Sequence, residues 1–280
     1  MGNFEGPKII GKIDLSAFQK KAEQKLVFHP EKYLPKLENI LETQSCEINE
    51  EFPDFLDKEA KIKIIGESAE KDQKEVLEIE EYFARDRQQS LDIWREEKKK
   101  HPATLAEMAV TAVLHKFIGQ DFIVARATDY DDYKNGVDNI LIDKKTGAVI
   151  CGFDEVLGAV GDGGIEMKEK MIAKSRKKAE RKRTGAHLRY GATIDSGVLT
   201  RKSLNNLPTF FLSLSREELM LLLEDIEKNQ SNGGEYERKM FDKFISLIEN
   251  QTQQNEEKEI DPILREKLLS TKKIISELNQ

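Results

Sequence analysis

Three carboxylates stand where an apolar strand ought to keep charge out. Asp138 lies in Gly136-Val137-Asp138-Asn139-Ile140-Leu141-Ile142, and Asp154 and Glu155 lie in Ala148-Val149-Ile150-Cys151-Gly152-Phe153-Asp154-Glu155-Val156. The turn-rich stretch Asp143-Lys144-Lys145-Thr146-Gly147 joins the two runs, so they read as the strands of a hairpin. A carboxylate inside an apolar strand is costly unless something pairs with it, and a divalent metal is one such partner. Mg²⁺ (or Mn²⁺) held there would suit hydrolysis of phosphodiester bonds, because the ion lowers the pKa of a bound water and clamps a phosphate oxygen.

A basic segment follows. Lys168 to Arg183 holds nine basic residues against two acidic ones, a net of +7 in a chain of −7, which leaves −14 for the remainder. Lys170, Lys174, Arg176, Lys177, Lys178, Arg181, Lys182 and Arg183 are the residues expected to track nucleic-acid phosphates, with salt-sensitive and sequence-tolerant contacts. His187, Arg189 and Tyr190 at its end could add phosphate or base contacts. The plain alternative is a solvated face, paired with the acidic remainder of the chain.

The elements that must position these residues follow from periodicity. Asp14–Phe28 and Pro30–Leu41 read as short helices, and Ser68–Lys100 as one long surface helix ended by His101-Pro102. Thr104–Gly119 is a helix with a broad apolar face, Phe122–Ala127 a strand and Asp129–Asn135 a polar linker. Gly158–Gly164 reads as a glycine-rich loop without the residues of a phosphate-binding loop. Ile165–Arg183, extending as far as Tyr190, reads as the basic helix, and Pro208–Leu214 as a further strand. Glu217–Glu227 and Glu235–Asn250 are amphipathic helices, suited to covering a sheet and alternatively to pairing in a homodimer. A last helix starts at Asp261-Pro262.

The expected fold class is α/β (α+β), a small mixed sheet flanked by helices. The expected division is a helical region over 1–101, an α/β core over 102–215 and a helical region over 216–280. Composition, at 35% charged and 38% hydrophobic residues, fits a helix-rich globular protein. No apolar run nears the roughly 20 residues of a membrane helix. The first residues lack a signal-peptide core, and position 6 is Gly where myristoylation needs Ser or Thr. Cys46 and Cys151 are too few and too far apart for a zinc site or a disulfide framework, so a cytoplasmic, reducing setting is expected.

The order of elements and acids over about 104–215 resembles the PD-(D/E)XK (restriction-endonuclease-like) nuclease superfamily. Gly136-Val137-Asp138 before an apolar run is similar to its second-strand motif, and Phe153-Asp154 to its third-strand carboxylate. The resemblance implies Asp138 and Asp154 as metal ligands, Glu155 as an auxiliary ligand, Glu107 as the first-helix acid, and DNA or RNA as substrate. The chain departs from the pattern where a Lys should follow, with Val156 two residues after Asp154 and Leu157 two after Glu155. Lys168 and Lys174 then become the candidates for a displaced Lys. Without one, the fold would serve as a binding module for nucleic acid or a protein partner.

Each acid also has a structural reading. Alternation points Asp154 and Glu155 to opposite faces, with Asp154 preferred and Glu155 reaching the site through a bulge near Gly152. Thr104-Leu105-Ala106-Glu107 reads equally well as a capping box. Asp129, Asp131 and Asp132 fail the calcium-loop spacing and read as a solvated loop, with Asp132 the first to consider for a supporting role at the metal.

Overall fold

The computed structural model describes residues 28–158, 183–195, 198–229, 233–256 and 260–278. The basic segment up to Lys182, the glycine-rich loop beyond Gly158 and the helix expected over Asp14–Phe28 lie outside the described residues, apart from Phe28 itself.

The apolar runs form the strands expected of them. Strands β1 (Phe122–Arg126), β2 (Asn139–Asp143) and β3 (Val149–Gly158) pair antiparallel in sequence order, and β6 (Thr209–Ser215) joins β3 in parallel, giving the sheet order β1-β2-β3-β6. Helix α4 (Pro102–Ile118) packs on β1 and β3, and its Leu105, Ala109 and Val113 are fully buried. The result is a mixed α+β fold, a small sheet flanked by helices.

The N-terminal helices are α1 (Pro30–Glu51), α2 (Ala69–Asp86) and α3 (Leu91–Lys100). The single helix expected over Ser68–Lys100 is therefore two. Gln88 takes a left-handed φ of 56°, and Ser90 caps the new start by accepting the Ile93 amide. The expected polar linker is α5 (Asp129–Asn135), a short helix capped by Thr128 and closed by Gly136 at φ 63°, a conformation that glycine adopts without strain.

A second correction concerns residues 186–190. They are not the end of a helix but the start of β4 (Ala186–Asp195), which pairs antiparallel with β5 (Val198–Leu207) in a separate two-stranded sheet. Helices α6 (Arg216–Lys228) and α7 (Glu235–Glu256) cover β6, and α8 (Pro262–Leu278) packs on α7, β3 and β5. Leu219, Leu222, Phe244 and Ile248 are buried, so the apolar faces of α6 and α7 are used inside the molecule. One hydrophobic cluster runs from Tyr33 on α1 through the sheet to Ile275 on α8. No helix among the described residues is long and apolar enough to cross a membrane.

Candidate functional site

The site forms where the end of α5 feeds β2. Asp138 directly precedes β2, its amide donating to the Phe153 carbonyl and its own carbonyl accepting from Ala127 N, each at 2.8 Å. This places Asp138 between β1 and β3, and its Oδ2 accepts the Glu155 amide at 2.8 Å.

The strands decide which acid faces which helix. Asn139 pairs with Phe153 in the β2–β3 ladder, so Asn139, Phe153 and Glu155 share one face. Asn139 is fully buried there, donating Nδ2 to Glu155 Oε1 at 2.8 Å and accepting the Thr111 hydroxyl of α4 at 2.7 Å. The Thr111 proton is shared with the Glu107 carbonyl at 2.8 Å. Alternation puts Gly152, Asp154 and Val156 on the other face.

Sequence reasoning prefers Asp154; beside it, the Glu155 backbone amide donates to the Asp138 carboxylate while the Glu155 carboxylate accepts from Asn139. Glu155 gets there on a regular stretch of strand. The break in register leaves out Ile150, two residues before Gly152, because Leu141 pairs with Cys151 and Ile142 with Val149, and from Gly152 to Gly158 the pairing with β6 is unbroken. Asp154 is also buried and near enough for its charge to act on Asp138.

Glu107 is not part of a capping box. Helix α4 begins at Pro102 with His101 as its cap, which places Thr104 inside the first turn. The Glu107 carboxylate is free to face the sheet, where it accepts Arg126 Nη2 at 3.1 Å. Arg126 is only 4% exposed and also lies 3.8 Å from Glu59.

The acids of α5 are not a solvated loop. Asp131 is fully buried and accepts the amides of Arg189 and Tyr190 at 2.7 and 3.0 Å. Asp129 accepts Lys61 Nζ at 2.7 Å. Burial works against its charge, but Lys61 and Lys98 outweigh it and hold the carboxyl down to about 2. Asp132 lies 3.9 Å from Lys98, and burial together with the Glu107 charge pushes it up to about 6.

The centre of the cluster resists ionisation. Burial, then the charges of Asp154 and Glu155, raise the Asp138 carboxyl well above the usual range. Burial and the Glu107 charge push Glu155 up to about 8, against the pull of its hydrogen bonds with Asn139 and Asp138. Glu155 Oε2 is buried without any hydrogen-bond partner. A buried carboxylate oxygen with no donor is an acceptor in want of a cation or a proton. Among the described residues no three acids, histidines or cysteines converge into a ready-made ion cage. Mg²⁺ does not require one, because it keeps several waters and takes one or two carboxylates together with substrate phosphate. Asp138 and Glu155 fit that demand.

The remaining sequence candidates separate from the cluster. Val156, in the position where the Lys is missing, is 7% exposed and packs on Phe211. Lys168 and Lys174 lie outside the described residues, as do Lys170, Arg176, Lys177, Lys178, Arg181 and Lys182, while Arg183 is described and exposed. His187, Arg189 and Tyr190 do not extend a basic helix. His187 bonds Asn205 at 2.8 Å, and Arg189 and Tyr190 bind the buried Asp72 of α2. Sequence reasoning also passes over Asn139, Thr111 and Arg126. A polar Asn within an apolar strand, and an Arg within Phe122-Ile123-Val124-Ala125-Arg126, were the signals available, since such groups need buried partners.

Compared with known proteins, the chain matches no family model, no curated protein and no solved structure.

Proposed function

We propose that this chain is a metal-dependent, nuclease-like protein that cleaves phosphodiester bonds in DNA or RNA. The observation that carries the reading is the orphaned Glu155 Oε2 beside Asp138, two carboxyls whose ionisation is opposed by burial and by the neighbouring acidic charges. Support comes also from the strand order, with three antiparallel strands and a parallel fourth behind one helix, in keeping with the PD-(D/E)XK resemblance. Asp138 and Glu155 would hold Mg²⁺ or Mn²⁺, and the bound ion would supply an activated water and a clamp on a phosphate oxygen. Asn139 fixes the direction of Glu155, and Arg126 holds Glu107 toward the sheet. In this reading the setting is a cytoplasmic, reducing one, in keeping with two free cysteines.

The test is Mn²⁺ calorimetry on the wild type and on Glu155→Gln, followed by cleavage of single- and double-stranded DNA and RNA by the wild type and Asp138→Asn. Metal binding lost in Glu155→Gln and cleavage lost in Asp138→Asn are expected. Cleavage that survives Asp138→Asn overturns the assignment.

One observation favours a second reading. Val156 is committed to packing with Phe211, so β3 offers no cation where the motif would have it. A nuclease-like fold without catalysis would then bind nucleic acid or a protein partner, with salt-sensitive affinity and no metal-dependent cleavage.

A further inference from the structure

Between the α2–α3 pair and the core lies a pocket of about 420 Å³, within the range of small-ligand sites, roughly 300–1,000 Å³. Its walls differ in kind. One is apolar, from Ile64, Val76 and the exposed Leu77. The other is charged, with Lys61, Arg95, Lys98, Lys99 and Arg126 set among Asp57, Glu59, Glu80 and Asp129.

The distances divide those cations. Lys61 meets Asp129 at 2.7 Å and Arg126 meets Glu107 at 3.1 Å, so both are committed. Lys98 stands 3.7 Å from Asp129 and 3.9 Å from Asp132, and Lys99 3.6 Å from Glu59, all beyond hydrogen-bond reach. Lys98 gives one proton to Tyr133 Oη at 2.5 Å, which leaves two donors, and Lys99 keeps its three. Both ammonium groups face partial solvent, with side chains 26% and 40% exposed. The pocket also abuts the acidic cluster, because Arg126 lines one and holds Glu107 in the other.

We propose that this pocket is a nucleotide subsite for a single-stranded part of the substrate, with a phosphate on Lys98 and Lys99 and an unpaired base on Ile64, Val76 and Leu77. Only an unpaired base can leave its stack to reach an apolar wall. The inference rests on the nucleic-acid reading of the acidic cluster and adds to it the substrate class: single strands, or duplexes with an open end or loop. It also assigns the α2–α3 pair the task of positioning the strand.

The experiment uses the full chain, with a chelator to prevent cleavage. Trp94, the only tryptophan of the chain, is the reporter, because Lys98 Nζ lies 5.7 Å from its ring. Oligothymidylate, oligouridylate and a hairpin-free duplex are titrated over a range of salt. Both single strands, or one of them, should change Trp94 fluorescence and bind at least about tenfold tighter than the duplex. K98Q/K99Q should weaken binding about tenfold and flatten the salt dependence by about 0.7 logarithmic units per decade, for the one phosphate that the two lysines hold on a single strand. Leu77→Glu, at an exposed position that tolerates charge, should weaken it comparably with the fold intact by circular dichroism. Wild-type affinity and salt slope in K98Q/K99Q, or a duplex bound as tightly as the single strands, overturns the subsite while metal-dependent cleavage still stands on Asp138. The lysine and Leu77 effects without any metal-dependent cleavage keep the subsite and overturn the nuclease reading.

Discussion

The backbone amide of Glu155 is bonded to Asp138 Oδ2 at 2.8 Å, so the strand that presents one acid also holds the other in place. The two carboxyls are brought together by the β2–β3 ladder, whose pairing is set by apolar residues on either side of them. Folding energy from the strands is thereby spent on keeping acids in contact that would separate in water.

That opposition predicts how stability depends on pH without metal. Glu155 rises from an ordinary 4.5 to about 8 and Asp132 from 3.8 to about 6, and Asp138 rises as well. Between the ordinary and raised values the folded chain holds protons that the unfolded chain has released, so stability falls as pH climbs through that window. The opposite shift of Asp129, to about 2, acts only below 3.8. In a chelator the melting temperature should be higher near about pH 5.5 than near about pH 8.5, by on the order of 2–4 °C for each kcal/mol of linkage. Added Mn²⁺ should narrow the gap, because the cation takes the place of the proton. Thermal scans at the two pH values check this, and a higher melting point at alkaline pH would contradict it.

Thr111 tests whether orientation of Glu155 matters. Thr111→Val removes the donor to Asn139 Oδ1 inside a buried chain of hydrogen bonds that ends on Glu155. The expected cost is about 1–3 kcal/mol of stability, for a buried acceptor left unpaired. Mn²⁺ affinity should drop by about 10–100-fold, as for other partners that orient metal ligands. Calorimetry and denaturant melts measure the two effects separately.

Arg126 should be the least replaceable cation of the site. It is 4% exposed and faces Glu107 at 3.1 Å and Glu59 at 3.8 Å. Arg126→Met leaves Glu107 without its buried partner, while Glu59 keeps Lys99 at 3.6 Å, and should cost about 3–5 kcal/mol. A double variant that also carries Glu107→Gln should recover part of that loss. Urea unfolding of the single and double variants provides the comparison, and additive losses would show that the pair is not coupled.

A further prediction concerns the hairpin that sequence reasoning takes for helix. Asp72 on α2, 1% exposed, accepts Tyr190 Oη at 2.6 Å and Arg189 Nε, and so ties β4 to the N-terminal helices. Tyr190→Phe should cost about 1–3 kcal/mol, and Asp72→Ala about 3–5 kcal/mol. Hydrogen exchange should speed up first in residues 186–193 and in α2. Unchanged protection in Asp72→Ala would mean that apolar packing alone holds the hairpin.

Much of this molecule is legible in its residues. Helix α4, strands β1, β2, β3 and β6, and helices α6 to α8 follow from runs and periods that each residue's near neighbours carry, because apolar side chains recur at the spacing of the face they bury. Asp138, Asp154 and Glu155 stand out for the same reason, as charges where that pattern forbids them. What orients Glu155 is another matter. It depends on Thr111 and Asn139, one from a helix and one from the neighbouring strand, and on which sheet face α4 covers. The escape of Glu107 from a capping box depends on His101 starting the helix three residues earlier. The β4–β5 hairpin stays hidden because Arg189 and Tyr190 read as the end of a basic helix until Asp72 and Asp131, 58 to 118 residues away, are brought to them. Lys61 and Lys98 reach α5 in the same way, from the N-terminal region. Local periodicity settles which face of each element is apolar. Which buried charge meets which is settled only when packing brings distant elements together, as it brings Lys61 to Asp129, Arg126 to Glu107 and Asp72 to Tyr190, and leaves the Glu155 Oε2 without a donor.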